Sequence, residues 1–198
     1  MKKKRTGSSD RTTKETSIKV RLVIDGKGTS KLETGIGFFD HMLDLLSCHS
    51  LMDLDVYCKG DLEVDKHHTV EDVGIALGQA FKQALGEKSG ITRFGNCIVP
   101  MDASLARAVV DLSGRPYLSY QGSSSVEKIG DFDMELVEEF FRSFVDHSMI
   151  NLHLDLLKSS NGHHDVEAIF KACARALKQA CSRDSRSSGI PSTKGHLE

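Results

Sequence analysis

The chain has 198 residues, 39% hydrophobic and 27% charged, which is enough to bury a core and too mixed for a disordered or membrane-embedded class. A formal net charge of −2, with no basic stripe beyond the N-terminus, argues against nucleic acid as a partner. No apolar run approaches the roughly 20 residues of a bilayer span. Five cysteines without a C-x-x-C spacing, and no secretory signal, indicate reduced thiols in the cytoplasm.

The first half of the chain is predicted to span residues 11–89, after a flexible basic tail at 1–10 that starts with MKKKR. Period-two alternation and helical periodicity predict two strands and two amphipathic helices in it. In chain order these are strand TSIKVRLVID (16–25), helix FFDHMLDLL (38–46), strand LMDLDVYC (51–58) and helix HHTVEDVGIALGQAFKQA (67–84). Glycines and charges in GEKSG (86–90) break the helical pattern and mark the join between the halves.

The second half is predicted to span residues 90–190 and to repeat the same order after three strands. These are NCIVPM (96–101), SLARAVVDL (104–112), PYLSYQ (116–121), then helix FFRSFVDHSMI (140–150), strand NLHLDLL (151–157) and helix HHDVEAIFKACARALKQA (163–180). A C-terminal tail at 191–198 follows. Its last three residues, His196 to Glu198, resemble a cloning remnant and carry no functional weight.

The two histidine-bearing helices are copies of one another. Aligned at a constant offset, 67–84 and 163–180 share nine of 18 letters, including both histidines and the following glutamate. Each copy also follows a Phe-Phe pair that opens a helix. A period near half the chain length indicates duplication, because solenoid repeats run about 20–50 residues. The predicted fold class is therefore α+β, a tandem duplication of two similar halves, each a small β-sheet covered on one face by two helices.

Each copy opens with two adjacent histidines on the first helical turn, where Asp65 and Asn161 suit the N-cap position. Neighbouring helical side chains point about 100° apart, so adjacent histidines do not easily hold one ion. Glu71 and Glu167 lie three and four positions after their histidines and share a helix face with them.

This arrangement predicts two metal ions, each held by a His–Glu pair from one copy and the remaining histidine from the other copy. The residues that supply these ligands are His67, His68, Glu71, His163, His164 and Glu167. Further ligands must come from elsewhere. The candidates are His41, on the first-half helix, and Glu139, which stands at a comparable place just before the Phe-Phe pair of the second half. Imidazole with carboxylate suits Mn, Fe, Co or Zn.

From Arg11 to Gly195 the chain resembles the imidazoleglycerol-phosphate dehydratase family of histidine biosynthesis. The resemblance rests on TKETSIKV (13–20), TGIGFFDHML (34–43), DKHHTVEDVGIALG (65–78), RFGNCIVPMD (93–102), VVDLSGRPYL (109–118), NGHHDVEAIFKA (161–172) and IPSTKG (190–195). It implies dehydration of imidazole glycerol phosphate to imidazole acetol phosphate with two Mn²⁺ per active site. It also implies trimers that assemble into a 24-subunit shell, with active sites at subunit contacts.

The resemblance implies a ligand set for each ion. One ion would be held by His41, His68, His163 and Glu167, and the other by His67, Glu71, His164 and Glu139. Many family members have His at the position of Glu139. Two further positions depart from the family: Ala103 follows PMD where an acid is usual, and Leu45 stands where relatives often have Gln.

The remaining site residues are also implied by the resemblance. Glu15 maps to the acid–base residue of the family, and His49 and Lys171 to catalytic substrate contacts. Lys171 lies four residues after Glu167, so an ordinary i, i+4 ion pair is the alternative reading. The phosphate pocket would consist of Arg93, Arg115, Ser192, Thr193 and Lys194.

Two other function classes fit the same motifs. A metal-stabilised shell or binding protein that lost turnover would assemble with metal but dehydrate nothing. A metallohydrolase acting on a phosphorylated small molecule would release phosphate.

Overall fold

The structure is a computed structural model that describes residues 4–122 and 126–197. Residues 1–3 of the predicted tail and Glu198 lie outside the described residues. The helices are Gly37–Ser50 (α1), His67–Leu85 (α2), Glu135–Ser148 (α3) and Gly162–Cys181 (α4). The strands are Thr6–Thr12 (β1), Thr16–Val23 (β2), Ser30–Glu33 (β3), Asp53–Gly60 (β4), Phe94–Met101 (β5), Ser104–Asp111 (β6), Tyr117–Gln121 (β7), Lys128–Ile129 (β8), Phe132–Asp133 (β9) and Asn151–Lys158 (β10).

The two halves have the same sheet topology. The first sheet runs β1-β2-β4-β3 and the second runs β5-β6-β10-β7. In each sheet the last strand pairs parallel to its neighbour, and the other pairs are antiparallel. The short β8–β9 hairpin is an addition to the second half. The predicted duplication of a small α+β unit is confirmed.

A close approach of strand to helix recurs in both halves. A Cβ placed on Gly7 in β1 would lie 2.0 Å from the Ala80 carbonyl oxygen of α2. A Cβ on Gly95 in β5 would lie 2.0 Å from the Ala176 carbonyl oxygen of α4. Only glycine lets the strand backbone come this near to the helix, so both positions fix the distance between sheet and helix.

The helices of each half cover one face of their own sheet, and the two helix layers pack on each other. The packing pairs cross the halves, because α1 contacts α4 and α2 contacts α3. Aromatic side chains fill the space between them: Phe39, Phe81, Phe140, Phe141, Phe144 and Phe170, all buried. Burial of each such ring contributes about 1.5–3 kcal/mol. Among the described residues, no helix combines the length and apolarity needed to cross a bilayer.

The N-terminal segment differs from the sequence expectation. Residues 6–10 were predicted to be part of a flexible tail, but they belong to β1, which pairs antiparallel with β2 along its whole length. The segment is also held by Arg5, whose guanidinium donates to both carboxylate oxygens of Asp25 at 2.6 and 3.0 Å. The first sheet therefore has an ordered edge strand, which is also tied to α2 by the Arg11–Asp72 ion pair at 2.5 Å.

Candidate active site

Two clusters of metal-ligating side chains lie where the halves pack together. The first, here called the Glu167 cluster, consists of His41 on α1 with His163 and Glu167 on α4. Glu167 Oε1 lies 2.9 Å from His41 Nε2 and 3.1 Å from His163 Nε2, so three donor atoms converge. Glu167 is buried, whereas both imidazoles are partly exposed. An ion could therefore reach the cluster from solvent.

The second cluster, here called the Glu71 cluster, consists of His67 and Glu71 on α2 with Glu139 on α3. His67 Nε2 lies 3.7 Å from Glu71 Oε2, and all three residues are partly exposed. The N-cap of α2 is Lys66 and not Asp65 as predicted, but Asp65 accepts a hydrogen bond from the His67 backbone N–H at 2.7 Å and so supports the start of α2. In the other half, Asn161 is the N-cap of α4 and accepts from the His164 N–H, as predicted.

The clusters occupy equivalent places in the duplicated fold. α1 and α3 each have 14 residues, and His41 and Glu139 are both the fifth. Both helices end before a residue in the left-handed region, Leu51 at φ 60° and Met149 at φ 58°. The Phe-Phe pairs that sequence comparison treated as equivalent are in fact offset by one helical turn. The comparable placing of His41 and Glu139 nevertheless agrees with the prediction.

The second histidine of each pair belongs to neither cluster within the described residues. His68 Nδ1 lies 3.0 Å from Asp61 Oδ2, and its Nε2 lies 3.9 Å from Glu15 Oε1. The hydrogen bond with Asp61 raises the pKa of His68. His164 Nδ1 lies 3.5 Å from Asp102 Oδ2. A single chain thus brings together three of the four predicted ligands of each ion, and Glu15 near His68.

The donor atoms of both clusters fit a divalent cation. Each combines imidazole nitrogen with carboxylate oxygen, and their ligand atoms lie within 4.8 Å of one another. This set suits Mn²⁺, Fe²⁺, Co²⁺ or Zn²⁺. Asp61 beside His68 resembles the outer carboxylate that commonly holds a metal-binding imidazole in one orientation.

Lys171 and His49 lie beside the Glu167 cluster. Lys171 Nζ lies 2.5 Å from Glu167 Oε2 and 3.2 Å from Met101 Sδ, so the i, i+4 ion pair expected from the spacing is present. Burial alone would raise the pKa of Glu167, but hydrogen bonds from Lys171 and His41 outweigh it and lower that pKa to about 2. Burial, with the Lys171 and Arg175 charges, lowers the pKa of His49. His49 is therefore neutral near pH 7.

The five residues predicted to bind phosphate line one cavity of about 550 Å³: Arg93, Arg115, Ser192, Thr193 and Lys194. The Arg93 guanidinium already has protein partners, because it donates to both Asp111 carboxylate oxygens at 2.7 and 3.0 Å and to the Pro191 carbonyl oxygen at 2.9 Å. It therefore anchors the C-terminal segment to β6. Among the described residues, Arg115 and Lys194 form no ion pair, and they leave positive charge for an anion.

Sequence reasoning did not single out Asp61 or Asp102 as neighbours of the second histidines. Asp61 follows β4 directly, and Asp102 forms the turn between β5 and β6 with φ 49°. Asp61 could have been predicted from its position, because it is an acid between the end of β4 and the histidine-bearing helix α2. Asp102 lies in the PMD motif, where only the absence of the next acid was noted.

A family model for Imidazoleglycerol-phosphate dehydratase matches residues 34–177. The chain belongs to the imidazoleglycerol-phosphate dehydratase family. An imidazoleglycerol-phosphate dehydratase from Citrifermentans bemidjiense is 57% identical over 193 residues, which cover 98% of this chain and 99% of the relative. One from Oceanobacillus iheyensis is 53% identical and covers 98% and 100% of the two chains.

Solved structures of imidazoleglycerol-phosphate dehydratases have the same fold. The Staphylococcus aureus enzyme superposes with a TM-score of 0.82 at 42% identity, covering 90% of this chain and 99% of that one. The Pyrococcus furiosus enzyme, in complex with (S)-C348, gives a TM-score of 0.79 at 34% identity, covering 95% and 99%. The expected enzyme class is confirmed: the chain is a dehydratase, a carbon–oxygen lyase.

Proposed function

We propose that the chain removes water from imidazole glycerol phosphate to give imidazole acetol phosphate in histidine biosynthesis, with two Mn²⁺ ions per active site. The observation that carries the metal dependence is the pair of equivalent His–Glu clusters, each built from both halves of the fold. The substrate follows from the names of relatives that match nearly the whole chain.

A second copy of the chain would supply the fourth ligand of each ion. Among the described residues, neither second histidine lies in a cluster: His68 is the predicted fourth ligand of the ion at the Glu167 cluster, and His164 that of the ion at the Glu71 cluster. Asp61 occupies His68 Nδ1, which leaves Nε2 as the ligand atom. Active sites that need two copies accord with the trimer-based 24-subunit shell implied by the sequence resemblance.

The C–H bond to be broken is not next to a carbonyl, so the imidazole ring of the substrate is the only available electron sink. Bound divalent ions would stabilise the anionic form of that ring by direct charge attraction. Glu15 Oε1 lies 3.9 Å from His68 Nε2, the proposed metal-ligand atom, and would therefore lie next to a bound ion. Glu15 is the candidate acid–base residue. Neutral His49 can accept a hydrogen bond from substrate.

The phosphate of the substrate would bind in the cavity lined by Arg115 and Lys194. These two cations, which form no ion pair within the part of the chain that the structure describes, match the charge of a phosphate. The Ser192 and Thr193 hydroxyls can donate to its oxygens. The hydrogen bond from Arg93 to the Pro191 carbonyl holds the segment that bears these hydroxyls at the cavity that Arg115 lines.

The test is formation of the acetol phosphate by variants that lose one second histidine. His68→Ala and His164→Ala should each reduce Mn²⁺-dependent turnover about a hundredfold or more, because they remove ligands of different ions. His147→Ala is the matched control, since His147 bonds only the Ser143 carbonyl among the described residues and lies in neither cluster. Near-normal turnover by either ligand variant would refute the two-ion proposal. Release of inorganic phosphate would instead identify a hydrolase.

A further inference from the structure

The two clusters have similar ligands, but only the Glu167 cluster has a lysine paired with its glutamate among the described residues. Four residues after Glu167, on the same face of α4, Lys171 places its Nζ 2.5 Å from Glu167 Oε2. The corresponding position of α2, four residues after Glu71, is Ile75. The two helices therefore differ at the position four residues after the ligand glutamate: α4 has a lysine that pairs with Glu167, and α2 has an uncharged isoleucine.

The charge of each cluster follows from these residues. With neutral histidines, the Glu167 cluster has one carboxylate offset by one ammonium group and is neutral. The Glu71 cluster has two carboxylates, from Glu71 and Glu139. Within the described residues neither carboxylate pairs with lysine or arginine. Lys66, which precedes His67, is instead paired with Asp131 at 2.6 Å.

We propose that the two cation sites of this chain have unequal affinity, so that the Glu71 cluster loads first and Lys171 keeps the Glu167 cluster the weaker site. This inference rests on the two-ion function proposed above. It concerns the order and strength of loading, which that function leaves open.

Two effects of Lys171 act in the same direction. Its ammonium group repels a dication a few ångströms away, and the burial of Glu167 limits screening by water. It also holds Oε2, so Glu167 offers only Oε1 to an ion beside His41 and His163. Lys171 is therefore a positioning residue that makes Glu167 a single-oxygen ligand.

The experiment titrates Mn²⁺ into the full-length chain after chelation and follows free Mn²⁺ by its electron paramagnetic resonance signal. Two ions per chain should bind in two classes that differ in affinity by on the order of tenfold or more, given one to two unit charges at an effective dielectric near 20. Lys171→Met should tighten the weaker class. Lys171→Arg keeps the charge and should keep the two classes apart.

The first half offers a reciprocal control. Ile75→Lys places an ammonium group four residues after Glu71 and should weaken the tighter class, and Glu139→Gln should do the same by removing a charge. Equal affinities in the original chain, or a Lys171→Met variant whose weaker class is unchanged or weaker still, would overturn the inference and leave the two-ion function standing. Binding of fewer than two ions would overturn both.

Discussion

Glu167 is the residue on which most interactions of the candidate site converge. Burial opposes its charge, while Lys171, His41 and His163 all favour the carboxylate. The net result is a pKa of about 2, well below the ordinary 4.5. A carboxylate held in this way stays ionised through the range in which enzymes work, and it is ready to bind a cation without first losing a proton.

The lowered pKa of Glu167 predicts a pH-dependent contribution to stability. Because the folded-state pKa lies below the ordinary value, the carboxylate stabilises the fold above pH 4.5, and this contribution is lost as pH falls towards 2. In chelated protein, the original chain should therefore melt at a higher temperature than Lys171→Met at pH 6. Calorimetry at pH 6, 4 and 3 should show the difference shrinking, and a constant difference would contradict it.

At the residue scale, the sequence predicts the identity of ligands better than their surroundings. Both histidine pairs, both glutamates and the five cavity residues could be chosen from motifs and the family resemblance, and the structure groups most of them as expected. Asp61 is not part of any of these motifs, and its contact with His68 depends on how β4 leads into α2, so only its position at the end of a strand points to it. The binding roles of all these residues remain predictions.

At the element scale, the glycines in β1 and β5 are where strand and helix are most tightly fitted. Gly95→Ala would place a methyl group 2.0 Å from the Ala176 carbonyl, and overpacking of this kind costs about 1–3 kcal/mol or more. We expect a clearly lower melting temperature, measured by circular dichroism. Gly189→Ala is the matched control, because nothing lies within 4 Å of a Cβ there. Equal melting temperatures would show that the strand can shift at no cost.

The periodic elements of the chain were predictable and the irregular ones were not. The helices that bear the histidines have a strong 3.6-residue pattern, and the structure gives them nearly the predicted bounds. β1 has a polar sequence in which only Gly7 is buried, so no apolar alternation revealed it. α3 starts at Glu135, well before its Phe-Phe pair, whereas α1 starts one residue before its own pair. Treating the two pairs as equivalent therefore placed the start of α3 too late in the chain.

At the scale of the whole molecule, metal ions should hold copies of the chain together. Each cluster has three ligands from one chain, and we propose that the fourth comes from another copy. Treatment with a chelator should therefore reduce the size of the particle, measured by light scattering, and Mn²⁺ should restore it. His147→Ala should behave like the original chain. A particle whose size does not change on chelation would place the fourth ligand elsewhere.

The crossing of helices between halves has a consequence for how such a chain could arise. His41 comes from one half while His163 and Glu167 come from the other, and the Glu71 cluster is split the opposite way. A half-length ancestor could have made these clusters only as a dimer, whose symmetry would have rendered both identical. Gene fusion would then have raised the effective concentration of one half for the other. It would also have freed each copy to mutate alone, so that lysine could arise at position 171 while isoleucine stands at 75.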